Sequence, residues 1–317
     1  MNVYTPATQP TIYFIGVTTT QSSIMKVFPE WAKALGLKDA VIKGIDFKPH
    51  SSPEEYREAV EFLKNDPLSL GALVTTHKID LYNACKDQFD YLDPYAQMLG
   101  EISCISKNNG QYCGHAKDPI SSGLALENFV PDGYWKMYDG EVLLLGAGGA
   151  SLAMSVYLTD ESIHGDNVPS HITIANRSQA RLDSAKELLK DLNPATRIDY
   201  VLNHAPADND NTLASLKPHS LIVNATGLGK DAPGSPITDA AVFPQDSLVW
   251  EINYRGDLIF MDQANAQKDE KNLHVEDGWI YFIHGWTQVV AEVFHIDITG
   301  ERLTLCSEVA KEAQKKK

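Results

Sequence analysis

The chain has 317 residues, which suggests about two domains, and its 43% hydrophobic content is ordinary for a soluble globular protein. A formal net charge of −15 argues against non-specific binding to nucleic acid. No run approaches the roughly 18 apolar residues of a membrane span, and the N-terminus lacks the basic and apolar regions of a secretory signal. We therefore expect a small molecule as the partner, with neither nucleic acid nor membrane.

The four cysteines are scattered along the chain without the spacing of metal ligands: Cys85, Cys104, Cys113 and Cys306. Cysteines of this kind are typical of reduced, buried thiols in a cytoplasmic protein. The sequence therefore predicts a cytoplasmic location, no disulfide framework and no metal site.

The first predicted element is a buried strand over residues 11–17, followed by six hydroxyl or amide side chains over 18–23. An amphipathic helix over 24–35 comes next. Some of these polar groups are expected to cap that helix. The others, with Thr20 and Ser22 among them, could hydrogen-bond a polyol, and the two interpretations stay open.

Two further strands are predicted over 40–47 and 70–76, with helices over 52–63 and 79–85. Strands that alternate with helices indicate a parallel sheet with crossover helices. Ligands of such sheets bind beyond the carboxyl ends of the strands. Lys78 follows the third strand and is therefore expected at the ligand edge.

Residues 102–105 and 111–114 are predicted to pair around a hairpin turn at 107–110. The chain leaves this hairpin through Asp118, and a helix over 120–129 is expected to bridge to the next domain.

A second pattern begins at residues 142–145, where four apolar residues lead into a glycine cluster and then a helix. Strand, glycine turn and helix form the context of a dinucleotide-binding fingerprint. Gly146 permits the tight turn, Gly148 permits close approach of the backbone to a pyrophosphate, and Ala150 or Ser151 permits close helix packing. The helix N-terminus offers free N–H groups to phosphates.

The next predicted strand, which starts at His171, ends at Asn176, followed by Arg177 and Ser178. Dinucleotide-binding folds that use NAD usually carry an acid at this position, which would repel a 2′-phosphate. An amide, a guanidinium and a hydroxyl would bind that phosphate instead. The sequence therefore predicts NADP as cofactor, with NAD as an alternative.

The remaining predicted elements are a helix over 181–192, strands over 220–224 and 247–254, and helices over 279–294 and 299–315.

The order of these motifs resembles the shikimate/quinate dehydrogenase family over nearly the whole chain. The resemblance is carried by Gly146-Ala147-Gly148-Gly149-Ala150-Ser151, Asn176-Arg177-Ser178, Asn224-Ala225-Thr226, Val74-Thr75-Thr76-His77-Lys78 and Gly114-His115-Ala116-Lys117-Asp118. It implies an α/β fold: an N-terminal α/β substrate domain over 1–122, completed by C-terminal helices over 278–317, and a Rossmann domain over 123–277.

The resemblance also implies site residues. The catalytic pair would be Lys78 and Asp118. The cofactor-binding residues would be Gly146, Gly148, Gly149, Ala150, Ser151, Asn176, Arg177, Ser178, Asn224, Ala225 and Thr226. Beside these, the candidate substrate-binding residues of the sequence are Thr20, Ser22, Thr75, Ser103 and Tyr254, which the resemblance alone does not assign. An amine that transfers the proton of an alcohol oxygen, oriented by a carboxylate, suits alcohol oxidation.

Several positions depart from the family pattern at the substrate site. Residues other than those of the family pattern stand at Ile24, Met25, Leu73, Ser103, Ala116, Lys117, Pro119 and Gly285, and at most of these positions the family has a polar side chain. A site that loses the partners of particular hydroxyl groups is badly matched to them. The sequence therefore predicts an NADP-dependent dehydrogenase for a cyclic polyol or hydroxy-acid related to shikimate, with poor turnover of shikimate itself.

Three alternatives stay open: a non-catalytic sensor of NADP(H), shikimate dehydrogenase proper, and a dehydrogenase of the same fold with an unrelated substrate such as a folate. A homodimer is an open expectation beside a monomer.

Overall fold

The computed structural model of the chain describes residues 4–37, 39–230 and 232–315. The strands are β1 Thr11–Gly16, β2 Val41–Asp46, β3 Ser69–Val74, β4 Tyr91–Leu92, β5 Cys104–Asn108, β6 Gln111–His115, β7 Val142–Leu145, β8 His171–Asn176, β9 Arg197–Leu202, β10 Leu221–Asn224, β11 Leu248–Glu251 and β12 His274–Glu276. The α-helices are α1 Ile24–Ala34, α2 Pro53–Asn65, α3 Lys78–Cys85, α4 Pro94–Leu99, α5 Asp118–Glu127, α6 Tyr134–Met137, α7 Gly149–Leu158, α8 Glu161–His164, α9 Gln179–Leu188, α10 Pro206–Ala214, α11 Ile259–Lys271, α12 Trp279–Phe294 and α13 Gly300–Lys315.

The chain divides into two compact units. Unit 1 contains the described residues of 1–117 and 285–317, and unit 2 contains 118–284. The boundaries expected from the sequence lie after 122 and after 277 instead. The first difference has a packing reason, because α5 packs along α7: a Cβ at Gly123 would lie 2.2 Å from the Tyr157 ring. The start of α5 therefore belongs with unit 2.

The sheet of unit 1 has the strand order β2-β1-β3-β5-β6-β4. β1 runs parallel to β2 and β3, as the sequence predicts for a sheet with crossover helices. β5 and β6 form the predicted antiparallel hairpin, and β5 also pairs antiparallel with β3. The sheet is therefore mixed: β2, β1 and β3 are parallel, β5 is antiparallel to both of its neighbours, and β4 pairs in parallel with β6 at the other edge.

The C-terminal helix α13 and the part of α12 from Gly285 onward belong to unit 1. The Trp31 indole of α1 donates a hydrogen bond of 2.7 Å to the Cys306 carbonyl of α13. Phe28 of α1 stacks on Phe294 at the end of α12. Trp31 and Phe28 are fully buried, so this contact buries a large apolar area and fixes the C-terminal helices on α1.

The sheet of unit 2 has the order β12-β11-β10-β7-β8-β9, and each strand pairs in parallel with its neighbours. Read from β9, this is the 3-2-1-4-5-6 order of dinucleotide-binding folds. The strand order reverses between β7 and β10: β8 and β9 lie on one side of β7, and β10, β11 and β12 lie on the other. Ligands of such sheets bind at this switch point, beyond the carboxyl ends of the strands. The predicted fold class, an α/β substrate domain plus a Rossmann domain, is confirmed.

Within the described part of the chain, no helix is long and apolar enough to cross a membrane.

Candidate active site

The predicted substrate residues of unit 1 lie at one edge of its sheet. Parallel strands β1 and β3 both end there, because Ile15 pairs with Val74. β5 begins at this edge and β6 ends at it, because Cys104 pairs with both Leu73 and His115. The fold therefore places residues from segments that are distant in sequence at this edge of the sheet. These residues are Thr20, Ser22, Thr75, Lys78 and Ser103.

Lys78 is the first residue of α3 and follows a strained turn. Thr76 has φ of 54°, which is unfavourable for a β-branched side chain. The amide of Ile102 donates to the carbonyl of Lys78 at 3.1 Å. The backbone of Lys78 is therefore held between this turn and the segment that leads into β5.

His77 holds the same turn in place through its buried side chain. Its ring is fully buried, and its Nδ1 lies 2.8 Å from the hydroxyl of Tyr56. Burial lowers the pKa of His77 and raises the pKa of Tyr56 to about 12, so both groups stay uncharged near neutral pH. An uncharged, enclosed imidazole suits an anchoring role.

Some of the polar residues over 18–23, which follow β1, have a structural role. The amide of Thr19 donates to a carboxylate oxygen of Asp46 at 2.8 Å, which ties the run to the end of β2. Ser23 is the N-cap residue of α1 but makes no side-chain capping bond. Thr20 is exposed and Ser22 is half-buried, so these two hydroxyl groups border the surface of unit 1.

Ser103 is built into the turn that leads to Asp118. Its side chain is only 3% exposed, and its hydroxyl accepts a 2.7 Å hydrogen bond from the amide of Lys117. Thr75 is half-buried, and its amide donates to the carbonyl of Ile15. The Ser103 hydroxyl thus has a structural partner already.

A buried ionic network lies beside this turn. The ammonium of Lys117 is 2.7 Å from a carboxylate oxygen of Glu292 in α12. Nε2 of His115 lies 3.0 Å from the Ser106 hydroxyl, and its Nδ1 lies 3.5 Å from Asp93. Burial is the largest influence on Glu292 and opposes its ionisation, but the hydrogen bonds from Lys117 and Ser106 and the attraction of Lys117 and His115 together outweigh it and lower the Glu292 pKa. The Lys117 cation is therefore neutralised within unit 1.

Asp118 directly follows Lys117 and is the first residue of α5. It is half-buried and belongs to unit 2.

The glycine turn of unit 2 has the shape that its sequence predicts. Gly146 has φ of 113°, and a Cβ there would lie 2.7 Å from the carbonyl oxygen of Ala225. Gly148 is the N-cap residue of α7, and a Cβ there would meet no atom within 4 Å. The hydroxyl of Ser151 donates to the carbonyl of Gly146 at 2.6 Å. Gly149 and Ala150 open the helix, so the turn leaves space in front of the α7 N-terminus.

Asn176 ends β8, and Arg177 and Ser178 follow it at the same edge of the sheet. The side-chain oxygen of Asn176 accepts from the Arg177 amide at 2.7 Å, and the Ser178 hydroxyl caps α9. These bonds fix the backbone of the loop. The Arg177 side chain is exposed and can present its guanidinium donors to a ligand.

The ends of β10 and β11 carry a hydrogen-bonded polar group in which the sequence singled out Asn224 and Thr226 but missed Glu251 and Asn253. Asn224, Glu251 and Asn253 are buried and hydrogen-bonded to one another and to Thr226. Burial raises the pKa of Glu251 to about 7. One sequence signal was present: Glu251 is an acid at the end of an otherwise apolar strand, where a charge needs a partner.

Tyr254, three residues further on, belongs to an aromatic cluster in unit 2. Its ring lies 4.7 Å from that of Phe282 and 5.9 Å from that of Trp279. The Arg255 guanidinium lies 6.0 Å from the Tyr254 ring. Unit 2 thus adds a half-buried aromatic surface near the end of β11.

Among the residues that the structure describes, His, Cys, Asp and Glu form no group that could hold a metal ion. The four cysteines are free and buried.

Comparison with known proteins gives relatives but no matching family model. A shikimate dehydrogenase (NADP(+)) of Streptococcus thermophilus is 31% identical over 182 residues, which are 57% of this chain and 59% of that protein. The similar stretch thus spans less than two thirds of the relative.

Solved structures match over nearly the whole chain at low identity. A shikimate dehydrogenase of Aquifex aeolicus has a TM-score of 0.70 and 20% identity, covering 98% of this chain and 99% of that one. A 5-ketofructose reductase of Gluconobacter has a TM-score of 0.67 and 17% identity, covering 96% and 98%. At such identities the likeness shows the fold alone. Together with the sequence relatives, it confirms the predicted resemblance of this chain to the shikimate/quinate dehydrogenase family.

Proposed function

We propose that this protein is an NADP-dependent dehydrogenase that interconverts a secondary alcohol and a ketone on a cyclic polyol or hydroxy-acid related to shikimate. The observation that carries the proposal is the sheet of unit 2, in which a glycine turn stands at the switch point and Arg177 follows the neighbouring strand. The Streptococcus thermophilus relative, whose name specifies NADP(+), supports the same choice of cofactor.

The residues of unit 2 fit NADP. The open space at Gly148, in front of the N-terminus of α7, suits a pyrophosphate, which backbone N–H groups and the helix dipole would hold. Arg177 would pair with the 2′-phosphate, and Asn176 with Ser178 would shape that loop. The segment Asn224, Ala225 and Thr226 would lie under the nicotinamide half. When bound, the cofactor supplies the hydride acceptor or donor.

Unit 1 would supply proton transfer. Oxidation of a secondary alcohol releases a proton from its oxygen, and Nζ of Lys78 would take up that proton; in reduction the ammonium would return it to the ketone oxygen. Asp118 would be the carboxylate that assists Lys78. The strained turn and its His77 anchor support this role, because strain persists where the surrounding structure fixes a functional residue.

The substrate is expected to differ from shikimate in its hydroxyl pattern. Leu73 and Ala116 are buried apolar residues where the family has polar ones. The hydroxyl of Ser103 already accepts from the Lys117 amide. Thr20, Ser22, Thr75 and Tyr254 remain as candidate substrate contacts. Lys117 is paired with Glu292, so it adds no net charge for binding a carboxylate.

A substrate panel tests the proposal. The purified protein is mixed with NADP+ and each of several cyclitols, sugars and hydroxy-acids, including shikimate and quinate, and NADPH absorbance is followed. We expect turnover of at least one polyol and poor turnover of shikimate. Efficient shikimate oxidation would contradict the substrate proposal. Tight NADP+ binding without turnover of any alcohol would contradict catalysis and favour the sensor alternative.

A further inference from the structure

The carboxyl group of Glu251 is the centre of a hydrogen-bonded group within unit 2. Glu251 ends β11, is 1% exposed and pairs in register with Asn224 of β10. The side-chain amide of Asn224 donates to one of its oxygens at 2.6 Å. The backbone amide of Asn253 donates to the other oxygen at 2.9 Å, and the side-chain amide of Asn253 donates to it at 2.6 Å.

The backbone of Thr226 fixes which way both asparagine side chains point. The Thr226 N–H is a donor only and lies 3.0 Å from the Asn224 amide, so the atom that faces it must be Oδ1. The Thr226 carbonyl is an acceptor only and lies 3.3 Å from the Asn253 amide, so that atom must be Nδ2. Both amides therefore turn their NH2 groups toward Glu251.

Glu251 consequently faces three N–H donors, and an ionised carboxylate is the form that accepts from all of them. The other charges around it are few. Lys230, in the loop after β10, attracts the carboxylate. Glu276 of β12 pairs with Trp250 and so points to the opposite face of the sheet. The α11 residues buried against the Glu251 face, Phe260 and Ala264, are uncharged.

The segment that this group holds lies against the glycine turn. The amide of Ala225 donates to the carbonyl of Leu145 at 2.9 Å, and the Ala225 carbonyl fills the space that a side chain at Gly146 would need. A shift of Thr226 would therefore move backbone that packs directly on the fingerprint.

We infer that Glu251 is a positioning residue, whose ionised carboxylate orients Asn224 and Asn253 so that the segment from Asn224 to Thr226 keeps its cofactor-binding shape. The inference rests on the proposed binding of NADP to unit 2. It adds a residue that acts through its neighbours and has no proposed contact with the cofactor.

The inference predicts a pH dependence of cofactor binding. A protonated Glu251 offers one lone pair fewer to the three donors and adds an O–H group among them, so the hydrogen bonds that orient the two asparagines weaken. Because burial raises the pKa of Glu251 to about 7, NADP+ affinity is expected to fall as the pH drops through this value.

Two single variants test the positioning role through NADP+ titration calorimetry at about pH 8, where Glu251 is ionised. In Glu251→Gln the new NH2 group faces the NH2 of Asn224, and we expect NADP+ affinity to fall by roughly ten-fold or more. Glu276→Gln makes the same change on the neighbouring strand and should leave affinity unchanged. In the double variant Asn224→Asp with Glu251→Gln, carboxylate and amide exchange places and every bond can re-form, so the Thr226 backbone should be held as in wild type; hydrogen exchange reads this variant, because Asn224 is itself a proposed cofactor-binding residue.

Hydrogen exchange of the backbone over 224–229 gives a second readout that needs no cofactor. Glu251→Gln should speed exchange of the Thr226 amide, and the double variant should slow it again. The inference is overturned if Glu251→Gln binds NADP+ as wild type does with unchanged exchange, or if the Thr226 amide of the double variant exchanges as fast as that of Glu251→Gln. If wild type binds no NADP+, the proposed function fails, while exchange at Thr226 still decides whether Glu251 positions the segment.

Discussion

At the scale of single residues, Lys78 is the group whose removal should affect chemistry alone. We expect Lys78→Ala to lower turnover of the identified polyol by roughly two to four powers of ten, the usual effect of a positioned acid–base group. NADP+ affinity should barely change, because its proposed ligands lie in unit 2. Steady-state kinetics and calorimetry measure the two effects separately.

Lys86, which follows the other end of α3, provides the control. It is exposed, and Lys86→Ala should retain normal turnover. Near-normal turnover of Lys78→Ala would mean that another group transfers the proton. Since His77 is enclosed and hydrogen-bonded to Tyr56, it could take over only after the turn rearranges.

Arg177 should decide between the two nicotinamide cofactors. Arg177→Ala removes an exposed guanidinium that can donate two parallel hydrogen bonds to a 2′-phosphate. We expect NADP+ binding to weaken by about 1.5–3 kcal/mol while NAD+ binding stays nearly constant. Titration of both cofactors checks this, and equal weakening of both would place the 2′-phosphate elsewhere.

Glu251 should also make folding stability depend on pH. Its pKa is about 7 in the folded protein and about 4.5 as an ordinary glutamate, so the folded state binds the proton more tightly. Its contribution to stability is thus fully present below about pH 4.5 and is lost as the pH rises through about 7. Between about pH 5 and 8 this amounts to roughly 2–3 kcal/mol. Stability and NADP+ affinity should therefore change with pH in opposite directions.

Urea denaturation across this range measures the effect as a difference between proteins. The unfolding free energy of wild type minus that of Glu251→Gln should fall with rising pH. If the unfolding free energies of the two proteins change with pH in parallel, Glu251 has an ordinary pKa in the folded state.

At the scale of elements, two helical glycines make opposite predictions. A Cβ at Gly285 of α12 would meet no atom within 4 Å, so Gly285→Ala should stabilise the helix by about 0.5–1 kcal/mol. A Cβ at Gly123 of α5 would overlap the Tyr157 ring, so Gly123→Ala should destabilise the protein. Chemical denaturation of both variants tests these two expectations. A loss of stability in Gly285→Ala would contradict the open space beside Gly285.

Elements with strong local signals were predictable from the sequence. Helix α2 begins with Ser52 and Glu55 bonded as a capping box, which the pattern of hydroxyl, proline and acids indicates. The strand-helix alternation before residue 86 gave the parallel part of the first sheet. Helix α11 and strand β12 were missed, because only Phe260 and Ala264 of α11 are buried and the helix lacks a continuous apolar face.

At the scale of the whole molecule, the sequence placed motifs on strands, and the strand order then decided which motifs meet. The glycine turn and Asn224 are distant in sequence but lie on neighbouring strands β7 and β10. The hydrogen-bonding pattern around Glu251 could not be predicted, because the orientation of the Asn224 and Asn253 amides follows from backbone contacts of Thr226. The hydrogen bond from the Lys117 amide to the Ser103 hydroxyl could not be predicted either, because it depends on how β5 and β6 pair.

Two units with separate sheets and cores should respond unequally to the cofactor. A ligand that binds only the folded form stabilises it by about 2.7 kcal/mol at a hundred times its Kd. If NADP+ is held by unit 2 alone, slow amide exchange in β7, β8 and β10 should become slower by that amount, while exchange in β1 and β3 should change far less. Hydrogen exchange with and without NADP+ measures both sheets in one sample. Equal protection of the two sheets would show that the units unfold together, in which case a single unfolding free energy describes the molecule.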